Sequence, residues 1–220
     1  MKTFCLYFEG IAALAIVNTN VSAAASMTIW IILDLIKNKL YSQHTMFVSI
    51  PGLCSATVVG LVVVTPAAGY IQPGYALLMG LIGGFCIYIF LSGKKHFFHI
   101  DDTLDVFSCH GLGGFIGTFL TGLFCQLNVN SSGQNGAFYG YPMQLVYQLL
   151  GLAITVIYSA ICTAVILLAL HFTIGIRIDR IDQVRGLDNV AHGVIDHENN
   201  QQIHQMRLAA IKHRSTDSKI

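Results

Sequence analysis

The chain has 220 residues, 54% of them hydrophobic and only 10% charged, with 12 Lys and Arg against 11 Asp and Glu. A soluble domain carries roughly 25% charged residues, so this composition, with a mean hydropathy of +0.64, excludes an ordinary water-soluble fold. The net charge is +1, and the polar C-terminal part mixes acids with bases, which excludes the basic stripe of a nucleic-acid-binding protein.

Crossing the hydrocarbon takes about 20 mostly apolar residues. Five segments qualify, at 11–36, 47–71, 74–91, 104–125 and 144–171. The predicted fold is therefore an all-α membrane protein with five transmembrane helices. Three regions are expected: an N-terminal start (1–10), a transmembrane domain (11–176) and a polar tail (177–220). The start holds Lys2, a short apolar run and Glu9, without a convincing signal-peptide cleavage site. If the first span begins outside, an earlier span has to deliver it. The chain is thus expected to be a piece of something longer.

The spans are not plain leucine cylinders. Span one carries Asn18-Thr-Asn-Val-Ser and then Ala-Ala-Ala-Ser. Span two contains Pro66, which frees a carbonyl near Val62; Thr65 beside it either satisfies that defect or faces a pore. Span three has a G-x-x-x-G at Gly80 and Gly84, and span four another at Gly113 and Gly117. Small residues let membrane helices approach closely. Close packing is the first reading of these glycines, and a narrow pore the second.

Span four also holds Asp105 and His110. An ionisable side chain inside a membrane is expensive and marks a functional site by default. The two are five residues apart, about 140 degrees round an α-helix, so they do not share a face. Asp105 is expected to be a structural, buried carboxylate that bonds neighbouring helices or backbone donors. His110 lies mid-span, either as a hydrogen-bonding residue inside the bundle or as a pore residue. His171, at the inner end of span five, snorkels or caps. A haem held by two histidines needs both at one depth, and His110 and His171 lie about half a membrane apart.

Lys and Arg collect in cytoplasmic loops. Lys37 and Lys39 follow span one, Lys94 and Lys95 follow span three, and seven more lie in the tail. Eleven of the 12 therefore fall on one side if the spans number five. The C-terminus is expected in the cytoplasm. The loop after span four then lies outside, where its Asn130-Ser-Ser sequon is a candidate glycan acceptor in a eukaryote. The six cysteines show no C-x-x-C spacing and read as packing residues. Neither a phosphate-cradling loop nor a G-x-S-x-G turn is present. No enzyme activity, metal or cofactor is expected.

Several blocks in order carry a resemblance. They are Ala12, Leu14-Ala15 and Val17-Asn18-Thr19, then Gly60-Leu-Val-Val-Val-Thr-Pro-Ala-Ala-Gly-Tyr. Asp101-Asp102 follows, with Asp105-Val-Phe-x-x-His-Gly-Leu-Gly-Gly-x-Ile-Gly-Thr-x-Leu-Thr-Gly-x-Phe. Gly186-Leu-Asp and His192-Gly193 close the series. From about residue 11 to 193 the chain resembles the C-terminal half of an ammonium transporter of the Amt/Mep/Rh family, on the Amt/Mep side.

The resemblance implies a partial ammonium transporter fold, equivalent to helices seven to eleven. Such proteins are homotrimers built from two inverted five-helix repeats and a last long helix; here the second repeat is incomplete. His110 matches the second of two pore histidines, and Thr65 falls near the substrate path. Imidazole suits a proton relay because it gains and loses a proton near neutral pH. The implied function is transmembrane transport of ammonium or ammonia, usually in the plasma membrane. The first pore histidine, the aromatic gate and the outer recruiting residues have no counterpart here. After His192-Gly193 the tail departs from the family pattern. The alternative is a truncated, non-transporting membrane subunit that associates with full-length ammonium transporters.

Overall fold

A computed structural model describes residues 2–40, 48–97, 102 and 104–178. The expected polar tail lies almost wholly outside the described residues. All described elements are helical. They are α1 (Lys2–Leu40), α2 (Ile50–Val64), α3 (Pro73–Phe97), a π-helical turn (Phe107–Leu112) continuing into α4 (Gly113–Phe124), and α5 (Met143–Thr173). A short 3-10 turn, Ala137–Tyr139, sits in the loop before α5. The chain divides into two units. Met1–Ile157 holds α1 to α4 and the first part of α5. Tyr158–Ile220 holds the rest of α5.

Among the described residues, four helical stretches are long and apolar enough to cross a membrane: Gly10–Leu40, Pro73–Gly93, Phe107–Phe124 and Met143–Thr173. The second expected span is different. Its helix, α2, has 15 residues and stops at Val64 instead of running on to Ile71. Pro66 is the reason. It has no N–H to give to Val62, and its ring crowds that carbonyl. Val62 O accepts from Thr65 N instead, at 3.2 Å, and 3-10-type bonds from Ala67 to Val64 and from Tyr70 to Ala67 tighten the chain into a turn. At its other end α2 is capped by Ser49, whose Oγ accepts from Gly52 N. Pro73 opens α3, where its missing N–H has no helical partner to lose.

The first unit packs through small residues. A Cβ on Gly60 would lie 2.5 Å from Ser22 O, and one on Gly84 would lie 2.7 Å from Ile29 and 2.8 Å from Ser26 Oγ. A Cβ on Gly80 would overlap Ser22 O. The glycines of α2 and α3 thus let both backbones close onto α1, as the G-x-x-x-G spacing suggested. Gly113 and Gly117 set α4 against α2 at Val62 and Val63 in the same way. Serine and tryptophan side chains add bonds across the contact. Ser22 Oγ donates to Gly60 O at 2.8 Å, Ser26 Oγ to Ala56 O at 2.7 Å, and Trp30 Nε1 to Gly84 O at 2.8 Å. Val59, Val63, Ala76, Met79 and Ile87 fill the space between the helices.

The turn after α2 is held by its carbonyls. Asn18, fully buried in α1, donates from Nδ2 to Ala68 O at 2.7 Å and to Ile71 O at 2.8 Å. Gln126 N donates to Tyr70 O at 2.9 Å, and Asn130 Nδ2 to Gly69 O at 3.2 Å. Four successive carbonyls that no longer serve a helix therefore each receive a donor. Backbone acceptors inside a membrane protein need such partners.

Candidate functional site around His110

His110 sits in the π-helical turn Phe107–Leu112, directly before α4. Single π-turns inside α-helices are rare and gather at functional sites. Gly111 leaves room for the Phe107 ring, which a Cβ there would meet at 3.1 Å. His110 itself is exposed, while its neighbours Ser108 and Cys109 are buried. The turn thus anchors its inner face and leaves the imidazole on the open one.

The chain enters this turn through Asp105, at φ 54. Aspartate is among the few non-glycine residues that visit this left-handed region readily. Asp105 N donates to Asp102 O at 3.1 Å, and Asp105 O accepts from Cys109 N at 2.8 Å. Asp105 is half-buried. The 140-degree relation expected for Asp105 and His110 assumes one α-helix. It does not apply, because Asp105 precedes the helix and the turn between them is of π type.

Asp102, quoted in the sequence only as part of a motif, has a clearer role. Its Oδ1 accepts from Phe107 N and its Oδ2 from Ser108 Oγ, both at 3.4 Å. The first N–H groups of a helix lack partners, and a carboxylate there satisfies them and suits the helix dipole. Asp102 therefore holds the start of the turn that carries His110. It acts from five residues ahead of Phe107 rather than from the N-cap position, which Val106 holds, so no capping pattern in the sequence marks it.

Thr65 is exposed at the end of α2, and its Oγ1 donates to Leu61 O at 2.6 Å. Gly113 meets α2 at Val62 and Gly117 meets it at Val63. His110 lies before that contact on its own element, and Thr65 lies after it on α2. The structure brings the two helices together through these glycines.

One ionisable residue in span one went unmarked in the sequence. Asp34 accepts from Tyr88 Oη through Oδ1 at 2.8 Å, and Tyr88 packs edge-on against Trp30 at 5.4 Å. Asp34 lies near the C-terminal end of α1, within one turn of Lys37. An acid inside a predicted span was the available signal.

The sequence model of the Ammonium Transporter Family matches residues 5–196. The chain is 39% identical over 189 residues to "Ammonium transporter 1" of Dictyostelium discoideum, a match covering 86% of this chain and 39% of that protein. It is 38% identical over 189 residues to "Ammonium transporter" of Bacillus subtilis (strain 168), covering 86% and 45%. Among solved structures it resembles Saccharomyces cerevisiae Mep2, with a TM-score of 0.67 and 30% identity, covering 77% of this chain and 38% of the other. Candida albicans Mep2 gives 0.68 and 31%, covering 79% and 40%. The chain spans less than half the length of each of these relatives. It is a multi-pass membrane protein, and it belongs to the ammonium transporter family.

Proposed function

We propose that this chain carries part of a pathway for ammonium or ammonia across a membrane, with His110 lining it. The reading rests on one observation above the others. His110 is the exposed ionisable side chain on an apolar, glycine-packed helix of a protein in the ammonium transporter family. An imidazole there accepts a hydrogen bond or a proton from a small nitrogenous substrate and returns it without holding a fixed charge in the membrane. Thr65 contributes more weakly, at the outer end of α2. Asp105 serves as a structural carboxylate at the entry to the histidine-bearing turn.

The rest of the reading follows the same family. The working unit is a transporter about twice this length, assembled as a homotrimer in the plasma membrane. Residues 11–176 form the transmembrane domain, and 177–220 form a cytoplasmic tail. The lysines in the C-terminal turns of α1 and α3 support that orientation. Methylammonium uptake by the full-length protein in cells lacking their own ammonium transporters tests the proposal. His110→Ala should abolish uptake or change its selectivity. Wild-type uptake by a variant expressed at the wild-type level would overturn the pore role. An antibody to residues 185–220 should detect a band near twice 24.0 kDa in native membranes; a band at 24.0 kDa would instead favour the truncated subunit.

A further inference from the structure

Asn130 is the first residue of an Asn-Ser-Ser sequon, and the orientation proposed above puts it outside. Its side chain is nevertheless only 6% exposed. Every face of it is engaged. Nδ2 donates to Gly69 O at 3.2 Å, and Oδ1 accepts from Ser132 N at 3.0 Å. The backbone closes round it: Asn130 N donates to Gln126 O, and Gly133 N donates to Asn130 O at 3.0 Å. Gly133 then lies flat on Tyr70, whose ring a Cβ would meet at 2.7 Å.

We propose that Asn130 is a latch holding the loop after α4 onto the turn after α2, and that its sequon stays unmodified in the folded protein. Glycan transfer forms a bond from Nδ2 to the anomeric carbon of the sugar, expels the lipid pyrophosphate and releases one amide proton. The sugar then needs the volume that the 68–71 turn and the Tyr70 ring occupy. Access before folding is also short. Asn130 lies only six positions beyond the end of α4 at Phe124, a reach of about 20 Å even when fully extended. The latch has a clear purpose. The turn it grips has no helical bonds for its carbonyls, and Asn130 supplies the one to Gly69.

The unmodified sequon rests on the outward orientation; the latch does not. The full-length protein is expressed in insect cells and treated with an endoglycosidase. Wild type should show no mobility shift. A variant with an Asn-Ser-Thr sequon on a Gly-Ser tether after Gln134, an exposed loop residue, should shift. A shift in wild type, lost in Asn130→Gln, would overturn the closed sequon. Melting of the detergent-solubilised protein tests the latch. Asn130→Leu and Asn130→Asp should both melt several degrees lower, and Asn130→Asp keeps an acceptor for Ser132 while losing the donor to Gly69. Unchanged melting of Asn130→Asp would overturn the latch. If the inserted sequon is not modified, the proposed orientation has failed, and the melting result alone decides the role of Asn130.

Discussion

Asn18 and Ala68 are 50 residues apart in sequence and 2.7 Å apart in the fold. The same amide nitrogen also reaches Ile71 O at 2.8 Å. Asn18 thereby does for the turn after Pro66 what a continuing helix would otherwise do. Replacing it with leucine orphans two buried acceptors at once. Each buried unsatisfied group costs roughly 1–3 kcal/mol. Asn18→Leu should lower the melting temperature strongly, and Asn18→Asp should do the same because it removes the donor. Thermal denaturation in detergent checks both, and near-wild-type melting of either would show that the turn stands without its clamp.

Gly117 presses against the backbone of Val63. A Cβ there would overlap Val63 O and lie 3.0 Å from Val63 Cα. No flexible side chain is available to move aside, so the helices have to separate. Overpacking of this kind costs about 1–3 kcal/mol. Gly117→Ala should therefore destabilise the protein and disturb the α2–α4 contact that sets His110 beside α2. Gly74→Ala is the control, since nothing lies within 4 Å of its Cβ position. It should be neutral or slightly stabilising, because alanine favours helix over glycine by up to about 1 kcal/mol. Equal melting of the two variants would contradict the close-contact account.

Much of this was legible from residue types and spacing. Composition and apolar run length gave the all-helical membrane class, and the G-x-x-x-G pairs gave the packing faces. His110 stood out because charge-capable residues are rare in membrane spans. Three features were not legible for physical reasons. The early end of α2 depends on whether a proline kinks a membrane helix or ends it, and tertiary donors such as Asn18 decided that. The π-turn at His110 adds no residue type of its own, so residue types and spacing do not distinguish it from an α-helical turn. Asp102 acts across five and six residues, on Phe107 and Ser108, so α-helical periodicity does not reveal it.

Tyr139 ties the loop before α5 to the first turn of α3 by donating its hydroxyl to Tyr75. Desolvation first, and then the bond to Tyr75, push the Tyr139 phenol up from 10.0 to about 12. The folded form thus keeps this proton where the unfolded chain has begun to lose it. Its contribution to stability is complete below pH 10.0 and is lost as the pH rises to about 12. Melting temperature should fall over that interval more steeply in wild type than in Tyr139→Phe. Parallel curves for the two proteins would show that the phenol is not coupled to folding.

Asp102 offers a way to perturb His110 without touching it. Its carboxylate receives Phe107 N and Ser108 Oγ at the start of the π-turn. Asp102→Ala removes both acceptors and leaves the first turn uncapped, which costs about 0.5–2 kcal/mol for an ordinary helix cap. That is too little to unfold the protein but enough to loosen the turn holding the imidazole. In the full-length transporter, Asp102→Ala should be expressed in the membrane yet take up methylammonium several-fold more slowly. Asp102→Asn keeps an acceptor oxygen for Phe107 N and should retain more of the uptake. Paired with His110→Ala, the loss at Asp102 should vanish, because a positioning residue has nothing left to position. Additive losses in the double variant would instead assign Asp102 a separate role of its own.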